Sequence, residues 1–399
     1  MADGPTSRYK TIMAAVTSRK LWIAQAGDCI VTLAPVSKFF RQYVSGVIQL
    51  DLRDIDIVEP SDIVAVHAAD LVSELNAEAV IASRFSLIPF VLDEKAGALA
   101  ERCRLTVDMY REQPDPSTYD IVRTLNTKHG FRTIVEDLGM PVAVGGYAPT
   151  TSMLVSEVSA LLQQCPAVII KPNRSSNGFG NFVVRFGSNS DIRMQIEAAT
   201  RNLSIGSGWV FEEFLSFESV PSMELVVCDD RVSRSYSCDQ RTHNNAWTGM
   251  ITPAVKAADL EVLWQSAERL GEYLRQQGYR GVFDLDCGVT ADGYVLSEAN
   301  VRRTGGTYLH ELAQRLRPEG SELCWAADAR VGTSDIGFED GVRVAETVNA
   351  RFGDCDTFAV LTADTLKIDG KWRYLVVGPD ADAVRQHESF LCSALGISA

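Results

Sequence analysis

Residues 281–307 run GVFDLDCGVTADGYVLSEANVRRTGGT, and this stretch determines how we interpret the rest of the chain. Its two apolar halves carry Asp286 and Glu298, and they are joined by 290-TADG-293, which is a turn signal. We therefore expect an antiparallel hairpin that brings Asp286, Glu298 and Asn300 together near the strand ends. Unpaired carboxylates would be costly in a half-buried sheet, whereas oxygen ligands grouped in this way suit Mg²⁺. The stretch predicts a magnesium site.

Arg302 and Arg303 follow the hairpin directly and precede 304-TGGT-307. Beside carboxylates, two guanidinium groups would stabilise a phosphoryl oxygen or an oxyanion. The alternative is that Asp286 or Glu298 simply forms an ion pair with one of these arginines. The residues alone leave both interpretations open.

A second polar segment lies upstream, where Lys171 ends the apolar strand AVIIK and 172-PNRSSNGFG-180 follows. Small residues let backbone N–H groups approach phosphate oxygens, and a lysine on a strand adds a point charge. The lysine precedes the glycines, so this is not the GxxxxGK[ST] loop of P-loop proteins. A plain turn is the alternative for such a composition. The next apolar strand ends in 211-FEEFLS-216, which fits a hinge against adenine or an exposed edge strand.

The remaining periodicities predict an α+β region over 120–330 with antiparallel strand pairs instead of a doubly wound sheet. Phe131, Ile134, Val135 and Leu138 share one face of a helix that ends at Gly139. A second amphipathic helix is expected from Leu260 to Leu274, ending at Gly278. The further strands that we expect cover 167–171, 181–186, 208–215, 223–229, 281–289 and 293–300.

The two ends of the chain predict smaller units. Residues 20–120 alternate short apolar runs with helical stretches, which predicts a small parallel α/β layer. The runs expected to form its strands are LWIAQAG (21–27), VSGVIQLD (44–51), EAVIAS (78–83) and SLIPFVL (86–92). The segment 112-EQPDPS-117 predicts a linker. Near the C-terminus, 366-LKIDGKWRYLVV-377 predicts a hairpin around an Asp-Gly turn, followed by a helix.

Composition excludes several classes of function. A net charge of −14 argues against a nucleic-acid binder, which needs a basic surface, but not against ATP, which needs only a local cluster of positive charge. No apolar run is long enough for a membrane span, and the polar N-terminus lacks the features of a signal peptide. The nine cysteines and five histidines do not have zinc-ligand spacing. We expect a cytoplasmic protein with buried thiols instead of a catalytic cysteine.

Taken in order, these segments resemble the ATP-grasp enzymes. The string 298-EANVRRTGGT-307 is similar to their E-x-N-x-R signature, VIIKPNRSSNGFGNFVV to their phosphate-binding loop, and FEEFL to their adenine hinge. The segment 125-LNTKHGFRTIVEDLGMPV-142 resembles the one that supplies the family's first ATP-contacting lysine. The resemblance covers residues 120–310 and is closest to the pheganomycin-type peptide ligases, through 220-VPSMELVV-227 and 247-WTGMITP-253 among others.

The resemblance implies an ATP-grasp fold, in which two α+β subdomains grip ATP behind a small Rossmann-like pre-ATP-grasp domain. It divides the chain into a pre-ATP-grasp α/β domain (1–118), a subdomain with the phosphate loop (119–205), a subdomain with the metal site (206–330) and a C-terminal α+β extension (331–399).

The resemblance also implies roles for individual residues. The residues that would contact the ATP phosphates are Lys128, Lys171, Ser176, Gly178 and Gly180. Those that would frame the adenine are Glu212, Glu213 and Leu215. Glu224 would hydrogen-bond the ribose, with Glu218 as the alternative. Asp286, Glu298 and Asn300 would hold Mg²⁺, with two ions expected. Arg302 and Arg303 would face the transferring phosphoryl group. As a separate hypothesis, the polar stretch 239-DQRTHNNAWTG-249 lines the acceptor side, where Arg241 would bind a carboxylate and the substrate side would include Gly305 and Gly306.

Two departures from the family pattern stand out in these segments. Asn177 takes the place of a further loop glycine, and Ser297 that of an apolar residue before the metal-binding glutamate. His129 and His243 are expected to have packing or surface roles.

The implied reaction activates a carboxylate as an acyl phosphate and joins it to an amine, forming a peptide (amide) bond in natural-product biosynthesis. The substrates would be small-molecule or peptide carboxylates and amines, with no nucleic-acid or membrane partner. The sequence allows a homodimer. One alternative is a small-molecule carboxylate–amine ligase or carboxylase-like enzyme of primary metabolism. Another is a non-catalytic ATP-binding regulatory protein, which would have no need of all three metal ligands.

Overall fold

A computed structural model describes residues 7–81, 85–175, 178–187, 191–201, 206–243, 246–254, 260–317, 323–333, 335–352 and 356–397. Within these ranges the α-helices are α1 Ser7–Ala15, α2 Lys38–Ile48, α3 Ala68–Glu74, α4 Glu78–Ile81, α5 Glu94–Cys103, α6 Pro116–Leu125, α7 Lys128–Asp137, α8 Thr151–Leu161, α9 Ile192–Thr200, α10 Leu260–Gln276, α11 Gly305–Leu316, α12 Phe338–Arg351, α13 Leu366–Asp369 and α14 Ala381–Ala394. Two 3₁₀ helices cover Val16–Ile23 and Leu52–Asp54.

The strands of the described residues form two parallel pairs and two antiparallel sheets. They are β1 Cys29–Val31, β2 Asp56–Val58, β3 Ser86–Leu87, β4 Thr106–Val107, β5 Gly145–Ala148, β6 Ala167–Pro172, β7 Phe182–Arg185, β8 Trp209–Glu213, β9 Pro221–Val227, β10 Val232–His243, β11 Ala246–Thr252, β12 Gly281–Thr290, β13 Gly293–Asn300, β14 Cys324–Val331, β15 Phe358–Leu361 and β16 Lys371–Gly378.

The N-terminal region is α/β with parallel strands, as expected, but three of its four predicted strands are wrong. β1 pairs with β2 and β3 with β4, both in parallel. The runs 21–27, 44–51 and 78–83 fall largely in helices or at their ends, and only 86–92 contains a strand. In α2 the buried residues Phe40, Val44 and Ile48 recur every fourth position, which is the spacing of a helix face and not of a strand.

A four-stranded antiparallel sheet follows, in the order β5-β8-β6-β7. The apolar face of β6 packs under α8 and α9, with Val158, Ile170, Ile196 and Trp209 in one core. The strand pair predicted around the phosphate loop is confirmed, since Val168 lies opposite Val184 in antiparallel register. The amphipathic helix predicted before it is α7, and its apolar residues Phe131 and Val135 are buried.

The largest sheet has eight strands in the order β13-β12-β9-β10-β11-β14-β16-β15, and each neighbouring pair is antiparallel. The predicted hairpin at 281–300 is confirmed as β12 and β13, and the helix predicted from Leu260 is α10. The hairpin predicted at 366–377 is wrong. Leu366–Asp369 is a short helix ended by left-handed Gly370, and β16 pairs instead with β14 and β15.

Two cores connect the N-terminal region to this sheet. One core packs Trp22 and Phe40 against Trp325 and Tyr374, and the Trp22 Nε1 donates to the Thr362 carbonyl at 2.9 Å. The other packs residues of α5 and β4 against α7, α10 and the odd-numbered side chains of β12. The opposite, even-numbered face of β12 is thereby left for polar groups. No helix of the described residues has the length and apolar character needed to cross a bilayer.

Candidate active site

Carboxylates lie in two cross-strand rows on one face of the eight-stranded sheet. Asp284 is opposite Glu224 of β9 and Asn300 of β13. Asp286 is opposite Ser222 of β9 and Glu298 of β13. Directly opposed residues in antiparallel strands have Cβ atoms about 4.5–5.5 Å apart, so each row brings its side chains into contact range. The register of β12 and β13 therefore brings Asp286, Glu298 and Asn300 close together, as the sequence predicted.

Asp284 belongs to this group but was not among the residues predicted from the sequence. It is 7% exposed, and its Oδ1 has no hydrogen-bond partner among the residues that the structure describes. The signal was present in the sequence, because residues two apart in a strand point to the same face and Asp284 precedes Asp286 by two. Gln240 was also missed, and its Nε2 donates to Asp286 Oδ1 at 2.8 Å.

Burial raises the pKa values of three carboxyl groups on this face, Glu224, Asp284 and Asp286. The pKa of Glu224 rises to about 7, mainly through desolvation and against the hydrogen bond from Thr307. The pKa of Asp284 also rises to about 7 through desolvation, with Arg302 acting in the opposite direction. Desolvation and the charges of Asp284 and Glu298 raise the pKa of Asp286 well above its usual range. A cation placed among these groups would offset the cost of ionising them.

The donor set fits Mg²⁺. Asp286, Glu298 and Asn300 offer two carboxylates and an amide oxygen, and the Asn300 side chain lies 3.5 Å from Asp286 Oδ2. No group of three or more His, Cys, Asp or Glu side chains that could hold a metal was found in the part of the chain that the structure describes. Mg²⁺ does not require such a cage, because it takes one or two carboxylates and completes its shell with phosphate and water.

Lys128 reaches this group from the first turn of α7. Its side chain is buried, and its Nζ donates to Glu298 Oε1 at 3.1 Å and to the Ser175 carbonyl at 3.2 Å. The helix begins here because Thr127 caps it by accepting from the Gly130 N–H. The loop after β6 is fixed at the same point, since the Lys128 N–H donates to the Asn173 carbonyl. One lysine thus joins the phosphate-loop segment to the metal-site strand.

Lys171 of β6 belongs to a second ion-pair cluster. This cluster includes Arg132, which lies one helical turn after Lys128 on α7. Its Nζ is 2.5 Å from Glu212 Oε2, and the other carboxylate oxygen of Glu212 is 3.3 Å from Arg132 Nη1. Arg132 follows Lys128 by four residues, so both side chains project from one face of α7. Lys128 and Lys171 are therefore linked through one face of α7, which carries Lys128 itself and the Arg132 that contacts the partner of Lys171.

The phosphate loop is only partly described. Gly178 and Gly180 adopt left-handed φ values of 71° and 75°, which favour glycine. Ser176 and Asn177 lie outside the described residues. At the expected adenine hinge, Glu213 and Leu215 are half-buried around the end of β8, and the Glu213 N–H donates to the Val144 carbonyl.

The two candidate ribose ligands differ in their surroundings. Glu224 is 2% exposed and accepts a short hydrogen bond from the Thr307 hydroxyl and another from Ser235. Glu218 is exposed at the end of the loop before β9. Glu224 thus lies deep within the sheet face, linked to the TGGT segment that caps α11.

Neither arginine after the hairpin pairs with the metal-site carboxylates. Arg302 Nη1 donates to Asn126 Oδ1 at 2.5 Å, and Arg303 forms its ion pair with Glu311. The alternative in which Asp286 or Glu298 is neutralised by these arginines is not the observed arrangement. Glu298 pairs with Lys128 instead.

The three expected substrate-side residues have separate environments. Arg241 forms an ion pair with Glu388 of α14 and lies 3.7 Å from Asp328 of β14. Gly306 is buried so closely against Tyr236 that a Cβ there would overlap the Tyr236 hydroxyl. Gly305 has room for a Cβ, with its nearest neighbours 3.8 Å away.

His129, expected to have a packing or surface role, stacks on Tyr147 with ring centroids 4.0 Å apart.

Comparisons with known proteins agree with this architecture. Residues 17–105 match the family model of the Pre ATP-grasp domain. No curated protein matches the chain in sequence. Among solved structures, N5-carboxyaminoimidazole ribonucleotide synthetase from Thermus thermophilus shares the fold with a TM-score of 0.62 at 15% identity, covering 96% of this chain and 97% of that one.

Two further structures give the same result. The N5-carboxyaminoimidazole synthase of Aspergillus clavatus, in complex with ADP and 5-aminoimidazole ribonucleotide, has a TM-score of 0.59 at 14% identity, covering 94% of this chain and 99% of that one. A biotin carboxylase–ATP complex from Campylobacter jejuni has a TM-score of 0.62 at 11% identity, covering 97% of this chain and 90% of that one. The chain therefore has the ATP-grasp fold, with a pre-ATP-grasp domain matched at residues 17–105.

Proposed function

We propose that this protein is an ATP-dependent ligase that activates a carboxylate as an acyl phosphate and transfers the acyl group to an amine, releasing ADP and phosphate. One contact carries the proposal: Lys128 of α7, whose backbone N–H donates to the Asn173 carbonyl in the phosphate-loop segment, reaches Glu298 on the metal-site strand. A triphosphate between these segments would meet ammonium groups on one side and metal-binding oxygens on the other.

The charges of the site suit phosphoryl transfer. Lys128 and Lys171 would bind phosphate oxygens in exchange for their present partners, Glu298 and Glu212. Arg302 carries no carboxylate partner among the described ion pairs, so its guanidinium is available to a phosphoryl oxygen or to the oxyanion formed when the amine attacks. Mg²⁺ held by Asp286, Glu298 and Asn300, with two ions proposed, would supply charge neutralisation at the phosphates.

We further propose that the product is a peptide or other amide, on the basis of the resemblance to pheganomycin-type ligases. A second candidate is a small-molecule carboxylate–amine ligase or a carboxylase-like enzyme, because the solved structures with this fold include two carboxyaminoimidazole-forming enzymes and a biotin carboxylase. Mass spectrometry of reactions with ATP, Mg²⁺ and either mixed amino acids or bicarbonate separates the two. Peptide products from the amino-acid mixture support the first candidate, and bicarbonate-dependent ADP release supports a carboxylase-like enzyme.

The catalytic assignment is tested by Glu298→Gln, which keeps the shape of the side chain and removes its charge. We expect ADP formation to fall at least about 100-fold, the size of effect typical when one electrostatic contact to the reacting group is removed. Asp292→Asn is the matched control, since Asp292 is an exposed carboxylate in the turn of the same hairpin. Full activity of Glu298→Gln would overturn the metal assignment, and equal loss in both variants would show that the hairpin itself is disturbed.

A further inference from the structure

A group of cationic side chains lies where the N-terminal region meets the start of α11. The 3₁₀ helix Val16–Ile23 packs against α11, and the guanidinium carbon of Arg19 is 4.1 Å from the centroid of the Tyr308 ring. Arg315 fixes the contact by donating to the backbone carbonyls of Trp22 and Ala24. Because Trp22 is fully buried in the core beneath, this helix holds its position relative to α11.

Lys20 is the most constrained member of the group. It is half-buried, and its Nζ donates to the Val31 carbonyl at 3.2 Å. Burial and then the nearby charges of Arg19 and Arg303 lower its pKa to about 8. In the described ranges the ion pairs include none to Arg19 or Lys20, and Arg303 pairs with Glu311. Among the described residues, the ion pair between Arg303 and Glu311 therefore leaves Arg19 and Lys20 without a carboxylate partner.

The group adjoins the candidate active site. Arg303 directly follows Arg302, and its backbone N–H is held by the Phe90 carbonyl of the N-terminal region. Arg19 Nη1 and Trp247 Cη2 each lie 3.8 Å from where a Cβ of residue 305 would be, so Gly305 leaves space between a cation and an aromatic ring. Gly305 is the first residue of α11, and the partial positive charge at this end of the helix adds to the cations.

We infer that Arg19, Lys20 and Arg303 form a subsite for a second anionic group of the substrate, a carboxylate or a phosphate, distinct from the carboxylate that is activated. The inference rests on the proposed function, since it assigns this space to the substrate of that reaction. Like charges held together out of water destabilise one another, and an anion bound between them removes that cost while gaining charge-assisted hydrogen bonds. The substrate is therefore expected to carry two acidic groups, such as a peptide with a free C-terminal carboxylate or an acid with a phosphate ester.

The test is lysine labelling of the full-length protein loaded with Mg²⁺ and a non-hydrolysable ATP analogue, which blocks the phosphate site at Lys128 and Lys171. Isotopic reductive methylation is followed by peptide mass spectrometry, with succinate, inorganic phosphate, or chloride at matched ionic strength as the probe. We expect succinate or phosphate to slow labelling of Lys20 several-fold while labelling of Lys38, an exposed lysine on α2, stays unchanged. The anion that protects at the lower concentration identifies the chemical class.

Arg19→Met supplies the second arm. It should raise the concentration of anion needed for protection about tenfold or more, because one charge-assisted contact is lost. Binding of the ATP analogue, measured separately by calorimetry, should be unchanged in this variant. The subsite is refuted if neither anion slows labelling of Lys20 in the wild-type protein. It is also refuted if the anions protect Lys20 equally well in Arg19→Met. If wild-type protein fails to bind the ATP analogue, it is the proposed function that fails.

Discussion

Asp284 and Asp286 lie two residues apart on β12, and their side chains share the face that also carries Glu224 and Glu298. Strand alternation alone places them together, because successive side chains point to opposite sides of a sheet. Asp284 is buried and its Oδ1 has no hydrogen-bond partner among the described residues, so we include it in the candidate site beside the predicted ligands. For each of these carboxyl groups, the cross-strand neighbours and the burial of the side chain determine its contacts and its pKa.

Lys171 gives a prediction at the residue scale. Lys171→Met should weaken ATP binding by about 1.5–3 kcal/mol, the value of one hydrogen bond to a charged group, or roughly 10- to 150-fold in Kd. The fold should persist, because Glu212 keeps its contact with Arg132. Calorimetric titration with ATP is the measurement, and Lys38→Met is the control. An unchanged Kd in Lys171→Met would remove this lysine from the phosphate site.

Gly305 and Gly306 give a second prediction, about packing. Gly306→Ala should destabilise the protein by about 1–3 kcal/mol, because the added methyl group would overlap the Tyr236 hydroxyl in a packed core. Gly305→Ala, whose Cβ would have 3.8 Å of clearance, should change stability much less. Urea unfolding of both variants checks this. Equal stability losses would mean that the two glycines are needed for backbone conformation and not for space.

At the scale of elements, α14 is tied to the eight-stranded sheet by a buried polar cluster. Arg241 of β10 pairs with Glu388 of α14, and the Tyr374 hydroxyl of β16 donates to the same carboxylate at 2.9 Å. Asp328 of β14 lies 3.7 Å from the guanidinium. The described ion-pair contacts of Arg241 are thus with Glu388 and Asp328 of the protein itself. They indicate a structural role instead of the substrate role predicted from the sequence.

Arg241→Met is therefore expected to act on stability. Removing one partner of a mostly buried pair leaves Glu388 uncompensated and should cost about 3 kcal/mol of unfolding free energy. Arg385→Met, which breaks an exposed pair with Asp382 on the same helix, should cost less than about 1 kcal/mol. The measurement is urea denaturation, together with KM for the substrates once these are known. A large change in KM at unchanged stability would restore the substrate role.

At the scale of the whole molecule, the polar face of the eight-stranded sheet makes stability depend on pH. The folded-state pKa of Glu224 is about 7, raised by burial from its ordinary value of 4.5. The folded protein therefore binds a proton that the unfolded chain has released, and stability falls as pH rises between these two values. The full penalty above about pH 7 is about 3 kcal/mol, at 1.36 kcal/mol for each pH unit.

Glu224→Gln tests this contribution, because glutamine cannot ionise. Without Mg²⁺, we expect the unfolding free energy of the wild-type protein to fall from about pH 5 to about pH 8. In the variant this fall should be smaller. Glu218→Gln, at an exposed position, is the control and should follow the wild-type curve. A Glu224→Gln curve parallel to that of the wild type would show that Glu224 does not carry the penalty.

Short-range patterns determined much of what could be predicted. The hairpin of β12 and β13, the helices α7 and α10, and the strand pair around the phosphate loop all follow from alternation, helical periodicity and turn residues between neighbours in sequence. The strand predicted at 44–51 was wrong although the spacing of Phe40, Val44 and Ile48 is that of a helix face. At 366–369 the short run suits a strand or a helix, and long-range packing decides between them.

Only the tertiary structure decided the partners of Lys128 and Arg241. Lys128 and Glu298 are 170 residues apart, and Arg241 and Glu388 are 147 apart, so no local pattern links them. The sequence contains the residue types of a nucleotide site, since a lysine after a strand and acids on a hairpin are local facts. Their convergence depends on the order of strands in two sheets and on which face of α7 is turned inward, and these are set by the burial of apolar surface across the whole chain.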